Sequence, residues 1–324
     1  MLRFLGAALA ALAAAATPAQ AQDYPNRPIT VVVPYAAGGP VDTVARIVTA
    51  RMSELLGQQM VIENVGGAGG MTGSARAAKA SPDGYTVLLS GSAVLAQLPQ
   101  LYARPLYNPT TDFEHVAMFN DSARVLIVRK DLPANNFAEF MAYAKANQAK
   151  MQYGSAGVAS GSHTCGILLD IVMGTQITHV PYRGAGPAMQ DLVAGRLDFI
   201  PEQISTATPQ IRSGTVKAFV TLGTERGPGL EDIPSSDEVG LKGVDCGAWG
   251  GFSVPKGTPK AVIDRLAKAT SDAIDTQAIV DRYKGIGVVV PSKDRRSPAY
   301  FTKFVQSEIE RWGVPIKASG VKIE

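Results

Sequence analysis

Runs of strand length alternate with segments of helical period from Ile29 onward, and this alternation limits the possible folds more than any other feature. Residues 29–33 form a continuous β-branched run, typical of a strand buried on both faces. Residues 42–56 then repeat apolar side chains at helical spacing until Gly57, a common helix stop. Similar units recur at 60–80 and 125–147. The pattern predicts an α/β fold in which mostly parallel sheets are flanked by helices.

The chain has 324 residues, enough for two domains on the usual ~100 to 200 residues per domain. Lys and Arg number 31 against 28 Asp and Glu, which leaves a formal net charge of +3. A nucleic-acid binder concentrates basic residues on one face, so we expect no nucleic-acid partner.

The first residues have the composition of an export signal. Arg3 precedes an apolar run over 4–16, and Ala19-Gln20-Ala21 places small residues at a cleavage site. The run is shorter than the ~20 residues that cross a bilayer, so we interpret 1–21 as a cleavable signal peptide and not as an anchor. The mature chain is then expected to begin at Gln22 and to be periplasmic.

Residues that commonly perform catalysis or bind metals are sparse. The sequence contains no nucleophile elbow, P-loop, zinc-protease motif or dinucleotide fingerprint. His163 and Cys165 are two residues apart in a predicted helix, where their side chains point to different faces. We predict no catalytic residue, no metal site and no cofactor, with a secreted hydrolase as the less favoured alternative. Cys165 and Cys246 either pair in an oxidising compartment or are two small buried residues.

Three loops rich in glycine, alanine or serine precede predicted helices, at 35–42, 155–164 and 182–186. The first amides of a helix have no intrahelical partner, and the helix start carries about half a positive charge. Small residues let a ligand approach that main chain. Together the loops predict an anion site that holds a carboxylate without requiring Lys or Arg.

Several side chains in and near these loops have two interpretations. Asp42 is best explained as the N-cap of the first helix, where it would rigidify its loop. Arg183 either clamps a carboxylate or is a solvated loop residue. Glu202 either reaches a cleft or caps its own loop. Trp249 and Trp312 are interpreted as core residues and not as ligand-stacking ones.

A series of short motifs runs in order along the chain. They are Tyr24-Pro25-Asn26-Arg27-Pro28-Ile29, Val33-Pro34-Tyr35-Ala36-Ala37-Gly38-Gly39 with Asp42 and Arg46, Glu63-Asn64 through Gly66-Gly67-Ala68-Gly69-Gly70, Pro82-Asp83-Gly84-Tyr85-Thr86, Tyr153-Gly154-Ser155-Ala156-Gly157 and His179-Val180-Pro181-Tyr182-Arg183-Gly184. In number and order these motifs resemble those of the extracytoplasmic solute-binding receptors of the tripartite tricarboxylate transporter family, the Bug proteins. The likeness runs from about Tyr24 to Gly320.

The resemblance implies a two-domain periplasmic-binding-protein fold of the Venus-flytrap type. After the signal peptide 1–21, the first domain would comprise 22–124 plus 248–324 and the second 125–247. The cleft between them would capture a small organic carboxylate, a dicarboxylate or an aromatic acid. The receptor, expected to be a monomer, would deliver this ligand to the membrane permease subunits of the transporter. A sensor that reports to a signalling partner is the alternative.

The resemblance also implies that main-chain amides and ordered water hold the carboxylate. Pro40 stands where the family usually has a small or hydroxylated residue, which removes one amide donor, and Glu202 stands where the family often has aspartate. The identity of the ligand is therefore not carried over. The candidate ligand-binding residues are Tyr35, Ala36, Ala37, Gly38, Gly39, Asp42, Ser90, Gly91, Ser92, Ser155, Gly157, Ser160, Ser162, His163, Thr164, Tyr182, Arg183, Gly184, Ala185 and Glu202.

Overall fold

The computed structural model describes residues 24–323, so the predicted signal peptide at 1–21 lies outside the described residues. The strands are β1 (Ile29–Val33), β2 (Met60–Asn64), β3 (Thr86–Gly91), β4 (Phe113–Ser122), β5 (Arg124–Arg129), β6 (Gln152–Ser155), β7 (Thr178–Pro181), β8 (Phe199–Gln203), β9 (Val216–Thr221), β10 (Ala248–Pro255) and β11 (Val288–Val289). The helices are α1 (Pro40–Leu56), α2 (Met71–Ala78), α3 (Leu98–Leu101), α4 (Phe137–Asn147), α5 (Gly161–Met173), α6 (Ala185–Val193), α7 (Ile204–Arg212), α8 (Lys260–Ile274), α9 (Gln277–Gly285) and α10 (Pro298–Ser319). A π-helix (Ser92–Gln97) and 3-10 turns (Ala68–Gly70, Lys293–Arg295) are also present.

These strands form two sheets with helices packed against them, which confirms the α/β prediction. One sheet has six strands in the order β11-β4-β10-β3-β1-β2, and the other has five in the order β7-β6-β8-β5-β9. Within residues 24–323, no helix is both long enough and apolar enough to cross a membrane.

Both sheets are mixed, whereas the sequence predicted mostly parallel ones. β1 pairs in parallel with β2 and β3, and β6 pairs in parallel with β7 and β8. β10 and β5 run antiparallel to both of their neighbours. The alternation of strands and helices predicts parallel pairs where a helix connects two neighbouring strands. The alternation does not predict the antiparallel strands β5 and β10, at which the chain enters each sheet from the other one.

The chain passes between the sheets twice. β4 ends at Ser122 and β5 begins at Arg124, so Ala123 alone joins them. The return segment leaves β9 after Thr221 and reaches β10 at Ala248. The strands β5 to β9 therefore make up the five-stranded sheet. The division into domains at 125 and 247 stays a prediction.

The helix α1 begins earlier than its sequence suggested. Its N-cap is Gly39 and its first residue is Pro40, so the prediction that Asp42 is the N-cap is wrong. Proline at the first helical position has its φ already set and loses no intrahelical bond, and this favours the earlier start. Asp42 lies in the first turn instead and accepts a hydrogen bond from the main-chain nitrogen of Gly38 (3.0 Å).

The interior separates into apolar clusters on either side of each sheet. Trp312 and Trp249 are both buried in one apolar cluster, as their interpretation as core residues predicts, but Trp249 also lines the cavity described below. Cys165 and Cys246 form a disulfide with Cα atoms 5.7 Å apart, inside the core beside the five-stranded sheet. The structure thus decides between the two alternatives for the cysteines.

Candidate functional site

A cavity of about 70 Å³ lies between the two sheets. One water molecule needs roughly 10–15 Å³ on a comparable measure, so the cavity suits a small molecule and not a polymer. The first sheet and its loops contribute lining residues from 35–44, 89–94, 119–120 and 248–250, and the second contributes Arg124 with residues from 156–162, 185 and 202–203.

Several helices begin at the cavity wall. Pro40, Ser92, Gly161 and Ala185 are the first residues of α1, the π-helix, α5 and α6, and all four line the cavity. The first N–H groups of each helix have no intrahelical partner and carry partial positive charge. Pro40 itself has no N–H to offer. The first N–H groups of the other three helices make the cavity favourable for an anion.

Arg124 places a buried guanidinium in the cavity wall, with the residue only 6% exposed. Its Nη1 donates to the carbonyl oxygen of Pro201 (3.4 Å), and no carboxylate of residues 24–323 lies within ion-pair distance of it. A Cβ on Gly161 would lie 2.3 Å from Nη2, so the glycine lets the guanidinium approach the start of α5. Burial lowers the pKa of Arg124, while Glu202 and Tyr35 act to raise it. Arginine nevertheless stays protonated in proteins.

Glu202 lies on β8, beside the strand that carries Arg124. The register of the two strands pairs Val125 with Glu202 and Arg124 with Gln203. Glu202 is 1% exposed; its Oε1 accepts from the main-chain nitrogen of Gln203 (2.7 Å). Burial raises the pKa of Glu202, and Arg124, this hydrogen bond and the hydroxyl of Thr206 oppose that rise. The sequence suggests a loop position for Glu202, whereas β8 extends to Gln203 and Glu202 lines the cavity from within the strand.

Asp42 holds the 35–39 loop from the first turn of α1. Its Oδ2 accepts from the Gly38 nitrogen (3.0 Å) and from Nε of Arg46 (2.9 Å), and its Oδ1 accepts from Nδ2 of Asn64 (2.9 Å). Burial by itself raises the pKa of Asp42, but these hydrogen bonds outweigh it and hold the pKa below its ordinary value. Asp42 therefore supports the loop from behind the cavity wall.

The 155–164 loop is held by hydrogen bonds among its own groups. Ser160 and Ser162 both line the cavity, and their Oγ atoms lie 3.2 Å apart. Oγ of Ser162 also accepts from the main-chain nitrogen of Ala156 (2.9 Å). Ser155 is buried behind them, with its Oγ 2.6 Å from Nε2 of His179. Hydrogen bonds within the loop thus fix the positions of the two lining hydroxyl groups.

Loops of the two sheets touch beside the cavity at positions occupied by glycine. A Cβ on Gly69 would lie 2.0 Å from the carbonyl oxygen of Val158, and one on Gly184 would lie 3.0 Å from the Cβ of Ala36. Side chains larger than hydrogen at these positions would hold the loops apart.

The predicted site residues fall into three groups. The cavity is lined by Tyr35, Gly39, Ser90, Gly91, Ser92, Ser160, Ser162, Ala185 and Glu202. A neighbouring groove is lined by Gly157, Tyr182 and Arg183. Neither lining includes Ala36, Ala37, Gly38, Asp42, Ser155, His163, Thr164 or Gly184.

Sequence reasoning missed Arg124 and Asn120, which also line the cavity. Gln203 and Gly161 line it as well, and the sequence indicated them only as the neighbour of Glu202 and as part of the 155–164 loop. The sequence could have indicated Arg124 through its position directly before the apolar run 125–128. A charged residue at the start of a buried strand needs a partner. Asn120 and Gln203 lie inside strands and carry no motif.

Two sheets with an anion-suited cavity between them define a solute-binding protein of the periplasmic type. Residues 44–321 match the model of the family described as "Tripartite tricarboxylate transporter family receptor". The chain belongs to this family, which confirms the resemblance seen in its motifs.

Individual relatives agree with this assignment. A UPF0065 protein in the TAR-I ttuE-ttuC' intergenic region of Agrobacterium vitis is 41% identical over 93% of this chain and 87% of its own. The solved structure of the periplasmic binding protein BugD is 39% identical, with a TM-score of 0.89 over 93% of this chain and 100% of that chain. MatC from Rhodopseudomonas palustris with bound malate is 38% identical, with a TM-score of 0.88 over 90% of this chain and 100% of that one.

Proposed function

We propose that this protein is a periplasmic receptor that captures a small organic carboxylate, a dicarboxylate or an aromatic acid, in the cavity between its sheets. The proposal rests on Arg124, a buried guanidinium in the cavity wall with no carboxylate partner among residues 24–323. A buried charge without a direct ion-pair partner is costly, and a bound carboxylate would relieve that cost. The malate bound to the related MatC supports the same ligand class.

Capture would close two domains around the ligand. We assign 22–124 plus 248–324 to the first domain and 125–247 to the second, since these limits follow the division of the strands between the sheets to within one residue, Arg124 at the start of β5. A ligand that contacts both halves stabilises the closed form by its higher affinity for that form. After removal of 1–21, the monomeric receptor would deliver its ligand to the permease subunits of the transporter.

The protein would perform no chemistry on its ligand. Ser155 with His179 (2.6 Å) and Ser253 with His115 (3.0 Å) are serine–histidine contacts of the kind that hydrolases use. None of these four residues lines the cavity. A nucleophile has to reach its substrate, so these contacts are better explained as buried structural bonds.

Thermal unfolding of ligand-free protein tests the ligand class. The protein is unfolded, freed of ligand, refolded and heated with mono-, di- and tricarboxylates, amino acids, sugars and metal salts. A ligand at ~100 times its dissociation constant adds about 2.7 kcal/mol to the free energy of unfolding. Shifts with carboxylates are expected; shifts with sugars or cations alone would reject the proposal.

Two arginine variants test the role of Arg124. Arg124→Met removes the buried cation, and we expect carboxylate affinity to fall on the order of tenfold or more, because charged hydrogen bonds are lost. Arg183→Met removes the exposed arginine of the neighbouring groove and serves as the matched control. If Arg183→Met loses more carboxylate affinity than Arg124→Met does, the carboxylate binds in the neighbouring groove and not in the cavity.

A further inference from the structure

One oxygen of Glu202 has no partner. Oε1 is bonded to the Gln203 nitrogen, whereas Oε2 is buried and no described donor lies within hydrogen-bond distance of it. The Thr206 hydroxyl is close enough to lower the pKa of Glu202, but it donates to the carbonyl oxygen of Gln203 (3.3 Å). Glu202 itself is 1% exposed and lines the cavity. A buried acceptor without a donor is costly, so such an atom in a cavity wall indicates that a ligand supplies the donor.

Arg124 is the complementary group in the same wall. The two residues are diagonal neighbours on β5 and β8, yet they form no ion pair with each other. Both side chains line the cavity, and neither has its hydrogen-bonding capacity satisfied by the other. A ligand that satisfies both residues needs a hydrogen-bond acceptor for the guanidinium of Arg124 and a hydrogen-bond donor for the carboxylate of Glu202. These two groups of the ligand must lie close together.

We propose that Glu202 is a specificity-determining residue that selects carboxylates bearing a hydroxyl or ammonium group near the carboxylate held by Arg124. This inference rests on the proposed function and narrows its ligand class. An acid without such a donor leaves Oε2 unpaired, and an acid that brings a second carboxylate to this point adds like charge. Oε2 of Glu202 therefore disfavours both kinds of acid.

A neutral Glu202 would act in the opposite way. Its carboxyl group would then donate to a ligand carboxylate, and acids without a hydroxyl or ammonium group would bind well. Affinity for such acids would rise as the pH falls. If acids without a donor bind more tightly at lower pH, the inference is overturned.

The test compares acids that differ in one group. Dissociation constants of ligand-free wild-type protein are measured by titration calorimetry for succinate, malate and aspartate, and for propionate, lactate and alanine, at pH 6 and pH 8. Within the series that binds, we expect a donor-bearing acid to bind on the order of tenfold or more tightly than the acid that lacks the donor, since the latter leaves a buried acceptor unpaired. Equal affinities within that series overturn the inference.

Two glutamate variants identify the oxygen responsible. Glu202→Gln removes the charge and should reduce the preference for the donor-bearing acid severalfold. Glu308→Gln is the control, because Glu308 is also buried but does not line the cavity. It accepts from Nε1 of Trp249 (2.8 Å), which does line the cavity, so the quantity compared is the preference between two acids and not the affinity for one acid. A preference that survives Glu202→Gln overturns the inference.

The outcomes separate the two proposals. If carboxylates bind but the donor makes no difference, the proposed function stands and the inference about Glu202 fails. If no acid in either series binds, and none in the wider carboxylate panel, the proposed function fails as well. The wild-type comparison decides the inference even if Glu202→Gln does not fold.

Discussion

The main-chain nitrogen of Ala36 donates a hydrogen bond to the carbonyl oxygen of Arg183 at 3.3 Å. Ala36 follows β1 of the six-stranded sheet, and Arg183 follows β7 of the five-stranded sheet. This bond therefore joins the two halves of the protein beside the cavity. Gly66 and Gly184 lie against the same bond, and their small size permits the close approach.

Gly69→Ala should impair closure of the two halves. The new Cβ would lie 2.0 Å from the carbonyl oxygen of Val158, so the loops would have to separate. Gly57→Ala is a matched control, because its φ of +70° is close to the +66° of Gly69 and nothing lies within 4 Å of its Cβ. Both variants should lose about 1–2 kcal/mol of stability from the left-handed backbone.

Affinity should distinguish these two variants. We expect Gly69→Ala to bind its carboxylate on the order of tenfold more weakly, since roughly 1.4 kcal/mol of lost closure corresponds to that factor. Gly57→Ala should bind like the wild type. Calorimetric titration measures both, and equal affinities would show that the contact at Gly69 does not contribute to capture.

Gly161→Ala should weaken binding without weakening the fold. The new Cβ would lie 2.3 Å from Nη2 of Arg124 and displace the guanidinium, whereas alanine is the better helix former. Gly285→Ala in α9 serves as the control, because it also adds a methyl group to a helix but nothing lies within 4 Å of the new Cβ. Lower affinity at an unchanged melting temperature is expected for Gly161→Ala only. Unchanged affinity would mean that Arg124 relocates without loss.

The disulfide should contribute substantially to stability. Cys165 and Cys246 are 81 residues apart, and closing a loop of this length restricts the unfolded chain. Replacing both with alanine should lower the free energy of unfolding by about 2–5 kcal/mol. A reductant should lower the melting temperature of the wild type but not that of the double variant. A reductant-sensitive double variant would contradict this assignment.

Acid should destabilise the fold through two stacked histidines. The rings of His163 and His179 lie with centroids 4.0 Å apart. Burial lowers the pKa of His163 to about 4, and burial together with His163 lowers that of His179 to about 3. Unfolded histidine takes up its proton near pH 6.5, so this contribution is present above that pH and is lost as the pH falls towards 4.

A histidine variant isolates that contribution. His179→Phe keeps an aromatic ring against His163 and removes one titrating group. Melting temperatures measured from pH 4 to pH 8 should therefore fall less steeply towards acid than in the wild type. His115 has a pKa lowered to about 4, chiefly by burial, and remains in both proteins as a common background. Identical slopes would assign the acid sensitivity to other groups.

Local sequence determined the elements and the loops that line the cavity. β-branched runs and helical spacing are properties of adjacent residues, and they located β1 and α1 to within a few residues. Glycine- and serine-rich loops before helices likewise indicated exposed amides, and Ser160, Ser162 and Ala185 indeed line the cavity. The ordered motifs identified the family, because they extend over nearly the whole chain.

Tertiary structure alone decided which groups meet. Strand direction depends on where each strand enters its sheet, so the mixed sheets were not evident from alternation. Arg124 and Glu202 are far apart in the sequence, and only the pairing of β5 with β8 makes them neighbours. The disulfide likewise required Cα atoms 5.7 Å apart across 81 residues. Pairing between distant residues is a long-range property that no local pattern encodes.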